Sequence, residues 1–299
     1  MKHPTVQSRH VAITGCSSGI GRATALLLRD KGWTVIPTAR KEEDLEQLEA
    51  DGFKPVPLEI AESQSVQEAA ARILDICGGK LGGLVNNAGY SQPGAIEDLS
   101  RDAIRKQFEV NVIGMQELTN LFIPVFRDQE YGRIVNVSSV LGRIVMPFNG
   151  IYSASKFAME AIADALRTEL LDSGIAVSLV EPGPIHSSFK KNAGAVAAQT
   201  LNTETGHYGA LYRQALSQRQ KAPPKNRTAT LPPEAVAKKI LHALESPHPR
   251  RRYRVTIQAY GGEFIHRFCP DSLADWGRFR TARKRMALLK KSQSAGNPD

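Results

Sequence analysis

The sequence is poor in the features that mark exported, membrane-spanning and metal-binding proteins. Its 299 residues contain three cysteines, Cys16, Cys77 and Cys269, an odd number without a CxxC spacing. This count argues against a disulfide framework and against a thiolate zinc site. No apolar run approaches the roughly 18 residues that a membrane span needs, and residues 1–10 lack the apolar core of a signal peptide. We therefore expect a reduced, cytoplasmic protein without a bound metal.

Positive charge is abundant but concentrated at one end of the chain. The formal net charge is +9, and residues 273–299 hold seven Lys or Arg against two Asp. The rest of the chain lacks interleaved basic and aromatic residues, so we expect no nucleic-acid partner. Within 273–291, four apolar residues recur at helical spacing opposite the basic ones: Trp276, Phe279, Met286 and Leu289. This pattern predicts either a helix docked on the protein or peripheral contact with an anionic membrane.

Short β-branched runs alternate with longer helical stretches. The predicted strands are residues 10–14, 34–38, 55–58, 84–86, 133–137, 176–181 and a last one near 254–257. The predicted helices include residues 21–31, 64–77, 101–126, 152–173 and 235–245. The strands are continuously apolar, as expected when both faces are covered. This alternation predicts an α/β fold with a Rossmann-like, doubly wound parallel sheet that binds ligands at the carboxyl ends of its strands.

We expect a single catalytic domain over residues 1–262 and a basic C-terminal extension over 263–299. Residues 187–230 interrupt the alternation and are rich in Gln, Asn, Ala, Thr and Lys. Within an α/β enzyme, such a stretch is typical of a mobile, helical segment that covers the substrate.

Three glycines, Gly15, Gly19 and Gly21, stand where the first strand meets the first helix. Glycines at this junction let main-chain N–H groups approach a pyrophosphate at the helix N-terminus. The strand-loop-helix context favours dinucleotide binding over a simple turn. The residues of this loop that we expect to bind the cofactor are Gly15, Ser17, Ser18, Gly19, Ile20 and Gly21.

Tyr152 and Lys156 lie four residues apart, separated by Ser-Ala-Ser, so a helix would place both on one face. Other short motifs accompany this pair: TGxxxGxG at 14–21, NNAG at 86–89, Asn111, an NVSS run ending at Ser139, and EPGPIHS at 181–187. In this order they resemble the short-chain dehydrogenase/reductase family, near its 17β-hydroxysteroid and retinol dehydrogenases. The match is tight over about residues 8–190.

The resemblance implies that Tyr152 is the general acid/base and that Ser139 polarises a substrate carbonyl. Ser138 is the competing choice, because strand alternation lets only one of the two point into the site. The ordinary pKa of tyrosine is near 10, so we expect the Lys156 ammonium and an oxidised nicotinamide to lower it. The resemblance also implies that Lys156 bonds the nicotinamide ribose and that Asn111 holds a relay water, a backbone hydrogen bond being the alternative for Asn111.

Further cofactor contacts follow from the resemblance. The residues concerned are Asn87, Ala88, Gly89, Pro182, Gly183, Ile185 and Ser187, together with Tyr152 and Lys156. His186 is expected to point away from the site. At the end of the second strand, Ala39 is followed by Arg40 instead of an acidic residue. An arginine there favours NADP over NAD, unless Arg40 is only a surface residue. Glu59 takes the position at which the family contacts adenine.

The chain also resembles enzymes that act on hydrophobic alcohols, aldehydes and ketones, including steroids and retinoids. The expected substrate contacts are Ser139, Leu141, Val145, Met146, Phe148 and Phe189; the alternative for the apolar ones is that they pack in the core. The resemblance implies a homodimer or tetramer. The leading hypothesis is an NADP-dependent oxidoreductase, and a non-catalytic, NADP-binding regulatory protein is the alternative.

Overall fold

The computed structural model describes residues 2–219 and 230–294. Seven strands form one parallel sheet in the order β3-β2-β1-β4-β5-β6-β7. They are β1 (His10–Ile13), β2 (Thr34–Ala39), β3 (Val56–Pro57), β4 (Gly83–Asn86), β5 (Gly132–Val137), β6 (Ile175–Glu181) and β7 (Arg252–Arg254). Every residue of β4, β5 and β6 is buried, in keeping with their apolar sequences. The predicted doubly wound parallel sheet is confirmed.

Helices cover both faces of the sheet. Those described are α1 (Gly19–Asp30), α2 (Glu42–Ala50), α3 (Ser63–Ile76), α4 (Arg101–Phe108), α5 (Gly114–Asp128), α6 (Gly150–Glu169), α7 (Phe189–Thr200), α8 (Gly209–Arg219), α9 (Glu234–Glu245), α10 (Ile257–Phe268) and α11 (Asp271–Ser294). One core cluster joins α3, α5 and α6 to the sheet through residues such as Ile73, Phe122 and Met159. A second joins α1 and α9 to the opposite face through Leu28 and Ile240.

Strand order places the candidate site. It reverses between β1 and β4, the kind of switch point at which such sheets bind ligands. The register pairs Val137 with Val180, so the loops that follow β5 and β6 begin side by side. A hydrogen bond of 2.9 Å from Val140 N to Pro182 O joins these two loops.

The structure corrects two of the predicted elements. The helix predicted over residues 101–126 contains a short π-helix, Glu109–Ile113, which separates α4 from α5. The last strand lies at Arg252–Arg254 instead of near 254–257, because the Thr256 side chain caps α10 by accepting a hydrogen bond from Ala259 N.

The C-terminal part of the chain is helical. The domain boundary expected at 262/263 lies inside α10 (Ile257–Phe268). The expected substrate-covering segment contains α7 and α8, while its residues 220–229 lie outside the described part of the chain. In 2–219 and 230–294, no helix has the length and apolarity to cross a bilayer.

Candidate active site

Helix α6 presents Tyr152 and Lys156 from one face, as their spacing predicts. Both are buried, with exposed fractions of 7% and 4%. The Lys156 ammonium lies 6.0 Å from the centre of the Tyr152 ring. Ser155, between them, donates 2.7 Å to Tyr152 O. The Ser-Ala-Ser stretch, which was expected only to separate the two residues, therefore also bonds the helix backbone through Ser155.

Ser139 lies directly beyond β5 and faces this pair. Its Oγ accepts a hydrogen bond of 3.1 Å from Leu141 N at the start of a 3-10 turn, Val140–Gly142. Its hydroxyl also lies close enough to the Tyr152 side chain to act on the pKa of Tyr152. The hydroxyl of Ser138 is buried and has no hydrogen-bond partner within 2–219 or 230–294. Of the two serines, Ser139 is therefore the one in contact with Tyr152.

Asn111 is fully buried in the π-helix, and its side-chain amide forms hydrogen bonds with neighbouring groups. Its Oδ1 accepts from Tyr90 N at 3.1 Å, and its Nδ2 donates to Tyr90 O at 3.0 Å and to Ser155 Oγ at 3.1 Å. The side chain thus makes the backbone hydrogen bonds that were the alternative for this residue, and the relay water stays a prediction. Through Ser155, Asn111 is connected to the helix that carries Tyr152 and Lys156.

Burial dominates the protonation of the two central groups. It raises the pKa of Tyr152 to about 12, although the hydrogen bond from Ser139 acts to lower it. The protein's own groups therefore do not offset the cost of a buried phenolate, and the lowering expected from Lys156 with an oxidised nicotinamide stays a prediction for the cofactor-bound site. Burial lowers the pKa of Lys156 to about 8, and the charge of Glu160 acts to raise it. Lys156 Nζ donates 2.8 Å to Val137 O.

The glycine loop after β1 is tightly built. Gly15 has φ +71°, and a Cβ there would lie 2.9 Å from Ala88 Cα. Asn87 Nδ2 donates to Thr14 O and Gly15 O at 2.9 and 3.0 Å. Thr14 Oγ1 accepts from the main-chain N–H groups of Asn87 and Ala88. Thr14, which the sequence reading did not single out, therefore fastens the NNAG segment to this loop.

The loop fits the phosphates of a dinucleotide. No side chain caps α1 at Ser18, so the N–H groups of its first turn keep their capacity to bind an anion. A Cβ at Gly21 would lie 2.2 Å from Gly15 O, so the loop-helix junction excludes any larger residue. Ser17 is exposed and Ile20 half-buried beside these glycines. This close main-chain approach is what pyrophosphate binding requires.

The segment after β6 contacts the glycine loop. Ser188 Oγ lies 2.8 Å from Ser18 Oγ, and a Cβ at Gly19 would lie 3.0 Å from Ser187 Cβ. Ile185 is buried and bridges to Leu231. A Cβ at Gly183 would meet Thr256 Oγ1 at 2.2 Å. Within this segment, Ser187 and Ser188 therefore lie against the glycine loop, whereas Pro182, Gly183 and Ile185 contact Val140, Thr256 and Leu231, and the His186 side chain is exposed.

Gly89 lies where the NNAG segment meets the Tyr152–Lys156 pair. A Cβ at Gly89 would lie 3.1 Å from Asn111 Oδ1 and 3.9 Å from Lys156 Nζ. The structure therefore brings Gly89, Asn111 and Lys156 together, whereas Arg40 and Glu59 lie at the far side of β1.

Arg40 and Glu59 form an ion pair at the ends of β2 and β3. Arg40 Nη1 lies 3.3 Å from Glu59 Oε2. Glu59 Oε1 also accepts 3.3 Å from Ala61 N. Arg40 is largely exposed, so it is placed to meet a ligand at the carboxyl edge of β2. The carboxylate predicted to contact adenine holds this arginine.

The apolar residues expected to contact substrate divide into two groups. The Phe189 ring lies 5.7 Å from the Tyr152 ring. Leu141 and Met146 are half-buried and Val145 is exposed in the loop between β5 and α6. Phe148, by contrast, packs edge-on against Tyr208 at 5.2 Å, in a cluster with Ala197 of α7 and Tyr212 of α8. Phe189 is thus brought to the Ser139–Tyr152 pair, while Phe148 joins a separate apolar cluster.

A buried ion cluster, missed at the sequence level, continues from α6 behind the site. Arg252 Nε lies 3.0 Å from Glu160 Oε2 and 3.2 Å from Glu181 Oε1, and Arg252 Nη2 lies 2.6 Å from Asp164. Arg254 lies 3.5 Å from Glu181. Burial raises the pKa of Glu181 to about 7, and the nearby Glu160 charge raises it further. A Tyr-x3-Lys-x3-Glu-x3-Asp repeat at 152–164 is the sequence signal that this cluster leaves.

Comparison with known proteins agrees with the site. The family model described as short chain dehydrogenase matches residues 9–197. The chain is 37% identical to the uncharacterized oxidoreductase YbbO of Escherichia coli, over 90% of this chain and 94% of YbbO. It is 34% identical to bovine 17-beta-hydroxysteroid dehydrogenase type 6, over 91% and 88%. It is 33% identical to the NADPH-dependent 3-dehydrocapnine reductase of Ornithobacterium rhinotracheale, over 89% and 95%.

Solved structures show the same architecture. A short-chain dehydrogenase from Streptomyces avermitilis superposes with a TM-score of 0.70 at 26% identity, over 98% of this chain and all of that one. A Burkholderia phymatum relative in complex with NAD gives a TM-score of 0.70 at 26% identity, over 84% and 89%. These matches extend well beyond the glycine loop. The chain therefore belongs to the short-chain dehydrogenase family of NAD(P)-dependent oxidoreductases.

Proposed function

We propose that the protein is an NADPH-dependent reductase of hydrophobic aldehydes or ketones, of steroid-like or retinoid-like character, and that it also catalyses the reverse oxidation. The observation that carries the proposal is the burial of Tyr152 and Lys156 one turn apart on α6, beside Ser139 at the end of β5 and with the Phe189 ring 5.7 Å from the Tyr152 ring. A buried proton donor beside an aromatic surface suits an apolar carbonyl compound.

A nicotinamide cofactor, when bound, would supply the hydride that reduces the carbonyl carbon. Tyr152 donates its hydroxyl proton to the carbonyl oxygen, and Ser139 donates a hydrogen bond to the same oxygen. The positive charge of Lys156 stabilises the tyrosinate that remains. Asn111 and Ser155 position the helix that carries both groups. The raised pKa of Tyr152, about 12, keeps it protonated and ready to act as an acid at neutral pH.

Residues of three segments would hold the cofactor. The glycine loop (Gly15, Ser17, Ser18, Gly19, Ile20, Gly21) takes the pyrophosphate. The NNAG residues Asn87, Ala88 and Gly89 flank the adenosine side, and Glu59 lies at the adenine end. Pro182, Gly183, Ile185 and Ser187 would line the nicotinamide end, where Lys156 would bond the ribose.

NADP is the proposed cofactor because Arg40 follows β2 where an acidic residue would chelate the ribose of NAD. Arginine matches the geometry of a 2′-phosphate. The name of the Ornithobacterium relative, an NADPH-dependent reductase, supports this preference. Glu59 holds the Arg40 guanidinium near the edge of the sheet.

The substrate class is proposed from the apolar surroundings of Tyr152. Phe189 contacts its ring, and Leu141, Val145 and Met146 lie on the loop before α6. The hydroxysteroid named for the bovine relative is a bulky, apolar molecule of the kind that this surface suits.

We assign α7 and α8 to a cover over the substrate, and we expect a homodimer or tetramer. Peripheral membrane contact through 273–291 also belongs to the proposal; the Leu289 side chain lies outside the described part.

The test is oxidation of NADPH and NADH with medium-chain aldehydes, retinal and a 17-ketosteroid as substrates. We expect turnover with NADPH and a loss of about a thousandfold in Tyr152→Phe. The exposed Tyr260→Phe is the matched control and should retain full activity. NADPH binding without turnover of any compound would contradict the reductase and favour a regulatory protein. Equal loss in both variants would contradict the role of Tyr152.

A further inference from the structure

Helix α10 is fastened by one side to the loop that precedes α6. Glu263, buried on that side, bonds Arg143 at 2.8 Å and Arg254 at 3.0 Å. A Cβ at the neighbouring Gly262 would lie 2.8 Å from Val140 Cγ2. Arg143 and Val140 belong to the loop that also carries Leu141 and Met146. The inner side of α10 is therefore fixed against a border of the candidate active site.

The opposite side of α10 is apolar and faces solvent. Four residues at positions i, i+3, i+7 and i+11 form what we term the α10 outer face: Ile257, Tyr260, Phe264 and Phe268. Ile257 is 85% exposed, Phe264 65% and Phe268 69%. The Phe264 and Phe268 rings lie 5.4 Å apart. Because Glu263 holds the other side of the helix, α10 cannot rotate to bury this stripe.

The charges around this face are positive. Of the five arginines in residues 246–270, Arg252 and Arg254 belong to the buried ion cluster and Arg267 pairs with Glu263, whereas Arg250 and Arg251 are exposed. The adjoining α11 adds the exposed aromatic residues Trp276 and Phe279. Arg280 lies over the Trp276 ring at 5.5 Å. Exposed aromatic residues accompanied by arginines are typical of a surface that enters the headgroup region of an anionic bilayer.

We propose that the α10 outer face docks on an anionic lipid bilayer. A second copy of the chain is the less favourable occupant, because two such faces would bring the arginines of both subunits together. Each copy also carries a net charge of +9. An anionic lipid surface instead buries the aromatic stripe and neutralises the basic residues beside it.

Docking there would bring the lipid surface to the substrate site from two sides. Helix α10 contacts the 3-10 turn that follows Ser139, and α11 contacts α8 of the proposed cover. A membrane-dissolved carbonyl compound would then reach the site without crossing water. This consequence rests on the proposed reductase activity, whereas the docking of α10 does not.

The test measures co-sedimentation of the full chain with phosphatidylcholine vesicles, with and without phosphatidylglycerol. We expect binding only with phosphatidylglycerol, weakened by salt. The double variant Phe264→Ser/Phe268→Ser should bind at least about tenfold less, since it removes two large apolar side chains without changing charge. Leu171→Ser, an exposed apolar residue elsewhere, is the matched control and should bind like the wild type.

A second measurement locates the contact directly. Trp33 is buried and Trp276 exposed, so Phe264→Trp in a Trp276→Phe background places a single surface tryptophan on α10. Brominated phosphatidylglycerol should quench its fluorescence, whereas a tryptophan at position 171 in the same background should stay unquenched.

Several outcomes would overturn the docking. These are equal binding of wild type and the double variant, equal binding to neutral vesicles, or an unquenched tryptophan at 264. A change of sedimentation coefficient in the double variant without a change in vesicle binding would assign the face to a subunit interface. Vesicle binding without NADPH turnover would contradict the proposed function and leave the docking supported.

Discussion

Lys156 Nζ donates a 2.8 Å hydrogen bond to the main-chain oxygen of Val137, the last residue of β5. This bond ties the ammonium on α6 to the strand whose end carries Ser139. Because Lys156 is almost fully buried, its charge is costly, and burial lowers its pKa to about 8. The group is therefore charged below pH 8 and becomes neutral above it.

The first prediction concerns this titration. Reduction leaves a tyrosinate that the Lys156 charge stabilises, so kcat/KM for NADPH at saturating carbonyl substrate should fall as the pH rises through about 8. Lys156→Arg stays charged and should lack this limb, although its activity will be lower. A wild-type profile that stays flat up to pH 10 would contradict the assignment.

The second prediction concerns Glu160, whose charge raises the pKa of Lys156. In Glu160→Gln the alkaline limb of the same profile should move to lower pH, because the ammonium loses that support. Asp164→Asn is the control, since Asp164 also pairs with Arg252 but is not among the groups that shift the pKa of Lys156. If both variants displace the limb equally, a general loosening of the ion cluster is the cause instead.

The third prediction concerns cofactor choice. Arg40→Gln should raise the KM for NADPH about tenfold to a hundredfold and change the KM for NADH little, because only NADPH carries the 2′-phosphate. Steady-state kinetics with both cofactors measure this ratio. Arg105→Gln, at another exposed arginine, should leave it unchanged. An unchanged ratio in Arg40→Gln would show that the arginine serves only its pair with Glu59.

The fourth prediction concerns Glu181. Its pKa in the folded protein, about 7, lies above the ordinary 4.5, so its stabilising contribution is present below pH 4.5 and lost as the pH rises through 7. Glu181→Gln cannot ionise. Relative to wild type, its free energy of unfolding should increase between pH 4.5 and pH 8, because only the wild type loses stability as Glu181 ionises.

Urea unfolding at both pH values measures this change. Glu263→Gln is the counterpart, because hydrogen bonding by Arg143 and the charges of the surrounding arginines hold the pKa of Glu263 below its ordinary value. The stabilising charge of Glu263 persists from pH 5 to pH 8. Glu263→Gln should therefore be less stable than wild type throughout, and its free energy of unfolding should not increase relative to wild type over that interval. Parallel behaviour of the two variants would contradict the assignment at Glu181.

The fifth prediction concerns the glycine loop. Gly21→Ala places a methyl group against Gly15 O and should destabilise the fold by at least about 2 kcal/mol, with loss of cofactor binding. Gly261→Ala, in the exposed part of α10 where nothing lies within 4 Å, should instead stabilise by about 0.5–1 kcal/mol. Thermal unfolding of both variants distinguishes local crowding from a general effect of helical glycine.

Local patterns in the sequence were sufficient to predict the sheet and the placement of Tyr152 and Lys156 on one helix face. Continuous apolar runs predicted β1 to β6, and the i, i+4 rule placed Tyr152 and Lys156 on one face of α6. These features depend on a few neighbouring residues. The chain's membership of the short-chain dehydrogenase family, expected from motif order, is confirmed by the family match over residues 9–197.

Features that depend on contacts between distant residues could not be predicted from the sequence. The π-helix that contains Asn111 is accompanied by hydrogen bonds from the Asn111 amide to Tyr90 and Ser155, which lie 21 and 44 residues away. The Arg252 cluster joins α6, β6 and β7, and no local pattern shows that pairing. The rise in the Tyr152 pKa follows from burial, which residue spacing does not reveal.

Helix α6 has a consequence for how this enzyme can evolve. Its single face runs from Tyr152 and Lys156 to Glu160 and Asp164, and Arg252 binds the last two. Replacing such a buried ionic cluster by apolar residues often increases stability. Here the same exchange would remove the charge that supports the Lys156 ammonium. Selection for robustness and selection for turnover therefore act in opposition on one helix, so a more heat-resistant descendant must gain its stability elsewhere.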